Sequence, residues 1–310
     1  MSAIIVEHIS KSYGDNSPAL SDVSFDVARG EVFGLVGPDG GGKTTLFNIM
    51  TTLLFPDSGK ITLLGLDVEK DYLKVRERVG YLPGTFSLYP DLTVEENLHF
   101  FAIMHKSSIK ENQALILPIW EQLLPFKKRR AGKLSGGMKQ KLSLCCALIH
   151  RPDILFLDEP TTGVDPVSRR EFWDILTNIQ TRGITVVVST PYMDEATRCD
   201  RIALMQEGKI ITIATPEQII QNFKGALFRV KTDHIFSLLQ VMDTIPSRCR
   251  YYPAGDYLHV SFYEEDTEKI PSLWQQFIQQ NGLPAHSLNR ISPTIEDCFI
   301  ELIESNLLFK

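Results

Sequence analysis

Apolar and polar residues alternate in short runs over residues 3–36, and Gly14, Pro18 and Gly30 interrupt these runs. Alternation with a period of two is typical of strands that bury one face, so the beginning of the chain is predicted to form a β-rich layer. From residue 151 onwards, apolar strands alternate with helical segments, at 154–157, 166–181, 184–189, 193–199 and 202–205. This second pattern predicts a parallel α/β sheet.

The segment between residues 92 and 150 has a helical pattern instead. Thr93 and Glu96 stand at the spacing of a capping box, just before the apolar residues Leu98 and Phe101. We therefore expect a helical subdomain over about residues 92–150, inserted into the α/β part of the chain.

Beyond residue 222 the chain has a different arrangement of strands and helices. Strands are predicted at 227–230, 249–252, 257–262 and near 288, and helices at 234–242, 270–278 and 294–304. This order indicates a small α+β module of the ferredoxin-like βαββαβ type. The sequence thus predicts two domains, residues 1–222 and 223–310, which a length of 310 residues also favours.

A glycine-rich turn follows the apolar run at 32–36. It fits the pattern G-x-x-x-x-G-K-S/T, and its residues are Gly37, Pro38, Asp39, Gly40, Gly41, Gly42, Lys43, Thr44 and Thr45. In such a turn, backbone N–H groups surround a phosphate, the lysine reaches the β- and γ-phosphates, and the hydroxyl after it binds Mg²⁺. We therefore expect residues 37–45 to bind a nucleoside triphosphate, with Lys43 on the phosphates and Thr44 on the metal. The alternative is an ordinary glycine-rich turn.

The overall charge changes the range of partners that we expect. A net charge of −6 and a pI near 5.7 argue against a protein that binds nucleic acid by bulk electrostatics. The chain has no run of about 18 apolar residues, and its start lacks the layout of a signal peptide, so we expect a cytoplasmic protein. Its cysteines are odd in number, lack C-x-x-C spacing and are expected to be reduced core residues.

The apolar run at 154–157 ends in two acidic residues, Asp158 and Glu159. An acidic residue at the carboxyl end of a parallel strand is suited to hold Mg²⁺, and a second one beside it is suited to act on water. We expect Asp158 to be a metal ligand and Glu159 to be the general base. Many parallel strands end in aspartate, so this prediction depends on the phosphate-binding turn upstream.

A second anion-binding segment is predicted at residues 134–140. Ser135, Gly136 and Gly137 open a helix, so their backbone amides and the Ser135 hydroxyl form a second cradle for an anion. One nucleotide does not need two cradles in one chain, so this one is expected to close over a nucleotide bound to another subunit. Here the chain resembles the nucleotide-binding subunits of ABC transporters, whose signature is LSGGQ, with Met138 in place of the last glutamine.

The resemblance covers about residues 3–222 and implies a P-loop NTPase cassette with a parallel core sheet, an antiparallel β subdomain and a helical subdomain. It implies ATP and Mg²⁺ as ligands, and it matches Tyr13 to the aromatic residue that stacks on adenine, although an aromatic residue there more often packs. Asp165 matches a residue that faces the partner subunit of a head-to-tail dimer. The amino-acid sequences of residues 86–98 and 292–300 resemble those of the bacterial drug-export branch of this family. The implied partners are a second cassette and an integral membrane permease, which places the chain on the cytoplasmic face.

Two positions depart from the family pattern. Gly84 stands where the usual G-Y-x-P-Q has its glutamine, and Pro191 stands where S-T-H-Y-M-x-E-A has its histidine. Glycine has no side chain, and proline neither donates nor shuttles a proton. Because loss of one preorganised donor typically slows a reaction about 10²- to 10³-fold, we expect slow hydrolysis of the ATP bound to Lys43. The Ser135 cradle is retained and could serve a competent partner, which favours a heterodimer.

Three alternatives remain open at this point. Gly84 and Pro191 could be tolerated in an ordinary homodimeric ATPase that relies on Glu159. The chain could instead bind nucleotide without hydrolysing it in any complex. It could also be a soluble ABC ATPase outside transport, although such proteins resemble chains with coiled-coil insertions or with two cassettes.

Overall fold

The computed structural model describes residues 1–14, 18–109, 112–264, 266–284 and 287–307. The chain divides into two compact units, Met1–Pro216 and Glu217–Lys310. This division precedes the boundary at residue 222 that the sequence pattern predicts, and a short helix, Pro216–Gln221, lies at it. Within the described ranges, none of the helices combines the length and the apolar character needed to cross a bilayer.

The first unit contains both strands and helices. Its strands are β1 (Ser2–Lys11), β2 (Leu20–Ala28), β3 (Val32–Val36), β4 (Ser58–Leu63), β5 (Leu66–Asp67), β6 (Val79–Leu82), β7 (Ile154–Asp158), β8 (Thr185–Thr190), β9 (Arg201–Gln206) and β10 (Lys209–Ala214). Its helices are α1 (Lys43–Met50), α2 (Tyr72–Arg78), α3 (Val94–Met104), α4 (Gln113–Leu123), α5 (Gly136–Leu148) and α6 (Pro166–Thr181), and α7 is the boundary helix Pro216–Gln221.

The main sheet has the strand order β10-β9-β3-β8-β7-β6. Its strands from β9 to β6 run parallel, and β10 pairs antiparallel with β9. Every residue of β3, β7 and β8 is buried, as expected for parallel strands that are covered on both faces. The carboxyl ends of these three strands lie side by side, so the residues that follow them meet at one edge of the sheet.

An antiparallel layer accompanies the main sheet, with the order β2-β1-β4-β5. The apolar residues of these strands, of α1 and of β3 form one hydrophobic core. Phe25 of β2 stacks on Phe33 of β3 with ring centroids 5.3 Å apart. The predicted β-rich layer at the start of the chain is therefore confirmed.

The predicted helical insertion is also present, because α3 and α4 both pack against α5. Its capping box is confirmed, since the Thr93 hydroxyl accepts from the Glu96 N–H at 3.2 Å and the Glu96 carboxylate accepts from the Thr93 N–H at 2.7 Å. The helix predicted at 193–199 was wrong, because this segment has only a short 3₁₀ helix, Glu195–Arg198. The Glu195 side chain is buried there and accepts hydrogen bonds from Thr161 and Thr190, which are tertiary contacts that a helical pattern does not indicate.

The second unit is a sheet with helices, and its order matches the predicted ferredoxin-like module. Strands β11 (Ala226–Lys231), β12 (Cys249–Ala254), β13 (Tyr257–Phe262) and β14 (Ser287–Arg290) pair antiparallel in the order β12-β13-β11-β14. Residues of α8 (Ile235–Val241) and α9 (Ile270–Gln280) form one apolar core with these strands, around the buried Trp274. The five cysteines of the chain are free thiols, and burial raises the pKa of Cys249 to about 11.

A buried carboxylate joins the last helix, α10 (Ile295–Leu307), to the sheet of the second unit. Asp297 is 2% exposed and accepts hydrogen bonds from the Thr294 N–H at 2.6 Å, from His259 Nδ1 at 2.8 Å and from the Tyr252 hydroxyl. Burial acts to raise the pKa of Asp297, but these hydrogen bonds outweigh burial and hold this pKa below its usual value.

We expect this carboxylate to make the second unit sensitive to acid. Because the folded pKa of Asp297 is lowered, its contribution is complete above the unfolded pKa of about 3.9 and is lost as the pH falls through the folded pKa. Asp297→Asn should lower the free energy of unfolding by about 1–3 kcal/mol at pH 7, and the difference from the unaltered chain should shrink toward pH 3.

Urea unfolding, followed by Trp274 fluorescence in a chain whose Trp120 and Trp173 are replaced by phenylalanine, measures this difference. Asp266→Asn is the matched control, because this carboxylate of the same unit is exposed, and its partners are Lys269 and the Glu268 N–H on the surface. Equal effects of the two variants at pH 7 would contradict the assigned role of Asp297.

Candidate nucleotide-binding site

The turn between β3 and α1 forms a tight cradle of backbone. A Cβ atom at Gly37 would lie 2.1 Å from the Met205 carbonyl oxygen, so the chain passes too close to β9 for any other residue. Gly42 has a φ of +96°, in the left-handed region that favours glycine, and it directly precedes the first residue of α1. These glycines therefore allow the tight turn that leads into the first residues of α1, which is the backbone arrangement that the motif predicts.

Lys43 lies inside this turn with only 3% of its surface exposed. Its ammonium donates to the carbonyl oxygens of Gly37 at 2.9 Å and Pro38 at 3.0 Å, and it lies 3.3 Å from Glu159 Oε1. The turn thus positions one buried cation, and the acidic residue predicted as general base is its ionic partner.

A pocket opens at this place on the sheet edge. Its lining consists of Ala19, Asp39, Gly40, Gly41, Gly42, Lys43, Thr44, Thr45 and Glu159. Seven of the nine predicted phosphate-loop residues are in this lining, and the other two, Gly37 and Pro38, bind Lys43 through their carbonyl groups. Among the described residues that line the pocket, neither a histidine nor a glutamine occurs.

Asp158 ends β7 and is buried beside the phosphate turn. Its Oδ1 accepts from the Thr44 hydroxyl at 3.3 Å and from the Ser189 hydroxyl at 2.6 Å. Ser189 was not predicted as a site residue from the sequence. The feature that could have indicated it is its position near the carboxyl end of β8, the strand that pairs with β7. The two predicted metal ligands are therefore neighbours, although 114 residues separate them in the sequence.

The backbone at Glu159 explains how two consecutive acidic residues serve one site. Glu159 has a φ of +47°, a left-handed conformation that costs a non-glycine residue of order 1–3 kcal/mol. Its N–H donates to the Ser189 carbonyl at 3.1 Å and to the Ser189 hydroxyl at 2.9 Å, which holds this bend. The bend turns the Glu159 carboxylate toward Lys43, whereas the Asp158 carboxylate faces Thr44.

Gly84, the first departure from the family pattern, borders Asp158. A Cβ atom at position 84 would lie 3.3 Å from the Asp158 carbonyl oxygen and 3.9 Å from Asp158 Oδ2. A longer side chain here would therefore reach the predicted metal site, and glycine leaves that side without a polar group. Nearby, burial and the charge of Asp158 raise the pKa of Tyr81, so its phenol stays neutral.

Pro191, the second departure, follows directly on β8 at the same edge of the sheet. The preceding residue, Thr190, accepts a hydrogen bond from the Gly37 N–H at 3.3 Å through its carbonyl group. Position 191 is therefore next to the beginning of the phosphate turn, and a proline there offers the pocket no hydrogen-bond donor.

The signature residues lie elsewhere and do not line the pocket. Ser135 caps α5 by accepting from the Met138 N–H at 3.4 Å and is exposed. A Cβ atom at Gly136 would lie 3.3 Å from the Gly163 carbonyl, and one at Gly137 would lie 2.9 Å from the Ser168 side chain. The glycines thus let the start of α5 approach the loop before α6.

Two further predicted residues also lie outside the pocket. Tyr13 is 51% exposed and follows β1, and residues 15–17 next to it are outside the described part of the chain. Asp165 caps α6, and hydrogen bonds from Ser168 lower the pKa of its exposed carboxyl group. Both side chains are accessible to a ligand or to another subunit.

The residues around the pocket fit both expected ligands. Thr44 and Asp158 offer hydroxyl and carboxylate oxygens, which are the ligands Mg²⁺ prefers. Their separation of 3.3 Å is close to the spacing of about 3 Å between neighbouring ligands of an octahedral ion with bonds of about 2.1 Å. The glycine cradle and Lys43 fit the phosphates of a nucleotide.

Comparison with known proteins agrees with this geometry. The sequence profile of the ABC transporter family matches residues 20–162. The probable multidrug ABC transporter ATP-binding protein YbhF of Escherichia coli is 37% identical over 294 residues, which make up 94% of this chain and 50% of YbhF. The chain thus spans about half the length of that relative. The Nod factor export ATP-binding protein I of a Rhizobium species is 34% identical over 307 residues, or 97% of this chain and 96% of that protein.

A solved structure is similar as well. The ATP-binding cassette MJ0796, in a dimeric post-hydrolysis state bound to ADP and Pi, has a TM-score of 0.62 and 26% identity, and the match covers 68% of this chain and 98% of MJ0796. The match in sequence extends over nearly the whole of the Rhizobium relative, and the fold is shared with solved cassettes. The chain therefore belongs to the ABC transporter family, as one of its ATP-binding proteins.

Proposed function

We propose that this chain binds Mg²⁺-ATP at the phosphate turn and couples its binding and hydrolysis to export through a separate membrane permease. The observation that carries this proposal is that Lys43, Thr44 and Glu159 line one pocket at the sheet edge, where Asp158 accepts a hydrogen bond from Thr44. These four residues come from two segments of the sequence, and they supply a cation, two metal ligands and a carboxylate.

In the proposed reaction, the amides at the start of α1 and the Lys43 ammonium bind the phosphate oxygens and orient the γ-phosphate. Thr44 and Asp158 would hold Mg²⁺, and the bound ion would neutralise the charge that develops on the phosphates. Glu159 orients the attacking water and accepts its proton. Tyr13, exposed beside the antiparallel layer, is assigned to the adenine ring.

We further propose that hydrolysis in this chain's own site is slow. Position 84 borders Asp158 and position 191 follows Thr190, which contacts the phosphate turn, so both departures lie next to the proposed site. Glycine and proline contribute no hydrogen-bond donor there, and each missing donor costs about 10²- to 10³-fold in rate. Glu159, the proposed general base, is retained and contacts Lys43. This favours slow hydrolysis over the alternative that the chain does not hydrolyse ATP.

The proposed assembly is an asymmetric heterodimer. Ser135 and Gly136 are exposed and outside the pocket, so this end of α5 is available to cover the nucleotide of another cassette. A partner that carries the glutamine and the histidine would hold the faster site, which this chain's signature completes. A homodimer would contain two slow sites, and it is the second candidate because Glu159 is retained.

An apolar groove next to Gly84 supports the permease as a partner. It lies between the end of β6 and the helical subdomain, and its lining includes Leu82, Pro83, Leu88, Phe101, His105, Cys146, Ala147 and His150. We assign it to a cytoplasmic segment of the permease, which would hold the chain at the cytoplasmic face of the membrane. The relatives named for multidrug and Nod factor export support export as the direction of transport.

Thr44→Val tests the metal assignment within this proposal. The variant keeps the shape of the side chain and removes the hydroxyl that faces Asp158, so the affinity for ATP with Mg²⁺ should fall to that measured without the metal. Titration calorimetry with ATP, with and without Mg²⁺, measures both affinities on the same sample. ATP binding in EDTA is the internal control and should be unchanged, and an unaltered Mg²⁺ effect in the variant would exclude Thr44 as a ligand.

A further inference from the structure

The buried carboxylate of Glu195 lies behind the proposed site, at the carboxyl edge of the main sheet. It is 3% exposed and stands at the start of the short 3₁₀ helix after β8. Its Oε1 accepts from the Thr161 hydroxyl and its Oε2 from the Thr190 hydroxyl, both at 2.7 Å. Both oxygens of this carboxylate are therefore used by different segments of the chain.

A cation completes the surroundings of Glu195. Arg169 Nε lies 3.5 Å from Glu195 Oε1, and the Arg169 guanidinium lies 4.1 Å from the centroid of the Tyr192 ring. The Tyr192 N–H donates to the Thr190 hydroxyl at 3.1 Å, so Tyr192 contacts two partners of Glu195, Thr190 and Arg169. A buried carboxylate is stable only when such partners stay in place, so the network resists displacement of any one of them.

Each partner of Glu195 is joined to a different part of the proposed site. Thr161 stands two residues after Glu159, on the loop that turns the general base toward Lys43. The carbonyl group of Thr190 accepts from the N–H of Gly37, the first residue of the phosphate turn.

The third partner joins the network to the surface assigned to the other subunit. Arg169 lies in the first turns of α6, and its N–H donates to the carbonyl of Asp165 at 2.9 Å. Asp165 is the residue that caps this helix and faces outward. One carboxylate thus connects the general-base loop, the phosphate turn and the outward-facing end of α6.

We propose that Glu195 is a positioning residue for ATP hydrolysis, holding the Glu159 loop in register with the phosphate turn and with α6. This inference rests on the proposed function. A neutral, apolar contact at this place would stabilise the fold at least as well, because burying a carboxylate is costly. The network is therefore suited to fix the relative positions of its three segments.

Glu195→Gln in the full chain tests the proposal, with Glu31→Gln as the matched control. The introduced glutamine retains the size of the side chain and one acceptor oxygen, but it lacks the charge that holds Arg169. Glu31 is also buried, at 7% exposure, and pairs with Arg201 at 3.3 Å, but it precedes β3 and so lies at the opposite edge of the same sheet. Loss of stability from a buried ion pair alone should therefore be similar in both variants.

Amide hydrogen exchange of the full chain, with and without Mg²⁺-ATP, and the hydrolysis rate at saturating ATP are the measurements. We expect Glu195→Gln to speed exchange over residues 158–165 about tenfold and to lower the saturating rate about 10- to 100-fold, while the dissociation constant of ATP changes less than about threefold. Glu31→Gln should change neither the exchange of this segment nor the rate.

Exchange over 158–165 that matches the control would overturn the positioning role. An unchanged saturating rate would also overturn it wherever the rate of the unaltered chain exceeds that of Lys43→Ala. Exchange reports on the position of the loop even where turnover is too slow to resolve, and it then decides alone. Failure of the proposed function would be recognised by a different result. Mg²⁺-ATP would then leave the amides of residues 37–45 in the unaltered chain unprotected from exchange.

Discussion

Replacing Gly84 by glutamine and Pro191 by histidine in the same chain is expected to raise the rate of Mg²⁺-ATP hydrolysis by about 10²-fold or more. A side chain at position 84 starts 3.9 Å from Asp158 Oδ2, within reach of the metal and of the attacking water. A histidine at 191 would add a donor beside the phosphate turn. A Cβ atom at 84 also approaches the Asp158 carbonyl to 3.3 Å, so a small shift of this loop will reduce the gain.

The matched control is the pair Gly84→Ala and Pro191→Ala, which introduces the same backbone changes without the functional groups. Steady-state phosphate release at saturating ATP compares the two double variants with the unaltered chain. Equal rates in the glutamine–histidine variant and the alanine variant would mean that Gly84 and Pro191 are tolerated, and the homodimeric ATPase would then be the better interpretation.

Lys43→Ala is expected to abolish measurable ATP binding. Lys43 is the buried cation of the pocket, held by two carbonyl groups of the turn and by Glu159. Its removal leaves the Glu159 carboxylate next to the place of the triphosphate without a compensating charge, so repulsion adds to the lost contact. We expect the dissociation constant of ATP to rise at least about 100-fold, because charge-assisted bonds to a buried group contribute about 3 kcal/mol.

Lys141→Ala is the matched control for this loss. Lys141 is also a buried lysine, at 8% exposure, and it pairs with Glu171 at 2.6 Å between α5 and α6, outside the pocket. Its removal should lower the thermal stability without changing the affinity for ATP. Similar losses of affinity in the two variants would indicate damage to the fold rather than loss of a phosphate ligand.

Much of the fold was predictable because its signals are local. The buried parallel strands are continuous apolar runs, and α6 occupies the residues that its pattern predicts, Pro166–Thr181. The phosphate turn was predictable for the same reason, since a strand, a glycine-rich turn and a helix start follow one another without interruption. The placement of Asp158 beside Thr44 is compatible with parallel topology, because β3 and β7 both pair in parallel with β8 and end at the same edge of the sheet.

Other parts of the site depend on contacts between distant segments and were not predictable from local pattern. Glu195 looked like one more polar residue of a helix, yet its carboxylate is buried between threonines that lie 34 and 5 residues away. The left-handed backbone of Glu159 depends on the hydroxyl and carbonyl of Ser189, a residue of the neighbouring strand. The pattern of apolar and polar residues predicts which segments are helices and strands. Predicting these contacts also requires the register in which the strands pair.

The roles proposed for the signature and for Tyr13 depend on groups that another molecule would supply. The exposed Ser135 would meet a nucleotide bound to a second subunit, and the exposed Tyr13 would meet the adenine ring.

The most direct test of the central claim, that this chain binds Mg²⁺-ATP but hydrolyses it slowly by itself, compares binding and turnover on one purified sample. ATP affinity and steady-state phosphate release are measured together, with Lys43→Ala as the baseline for both. The account predicts Lys43-dependent binding with turnover close to the Lys43→Ala baseline. Rapid turnover that depends on Lys43 and is lost in Glu159→Gln would contradict it, because Gly84 and Pro191 would then be no obstacle to hydrolysis.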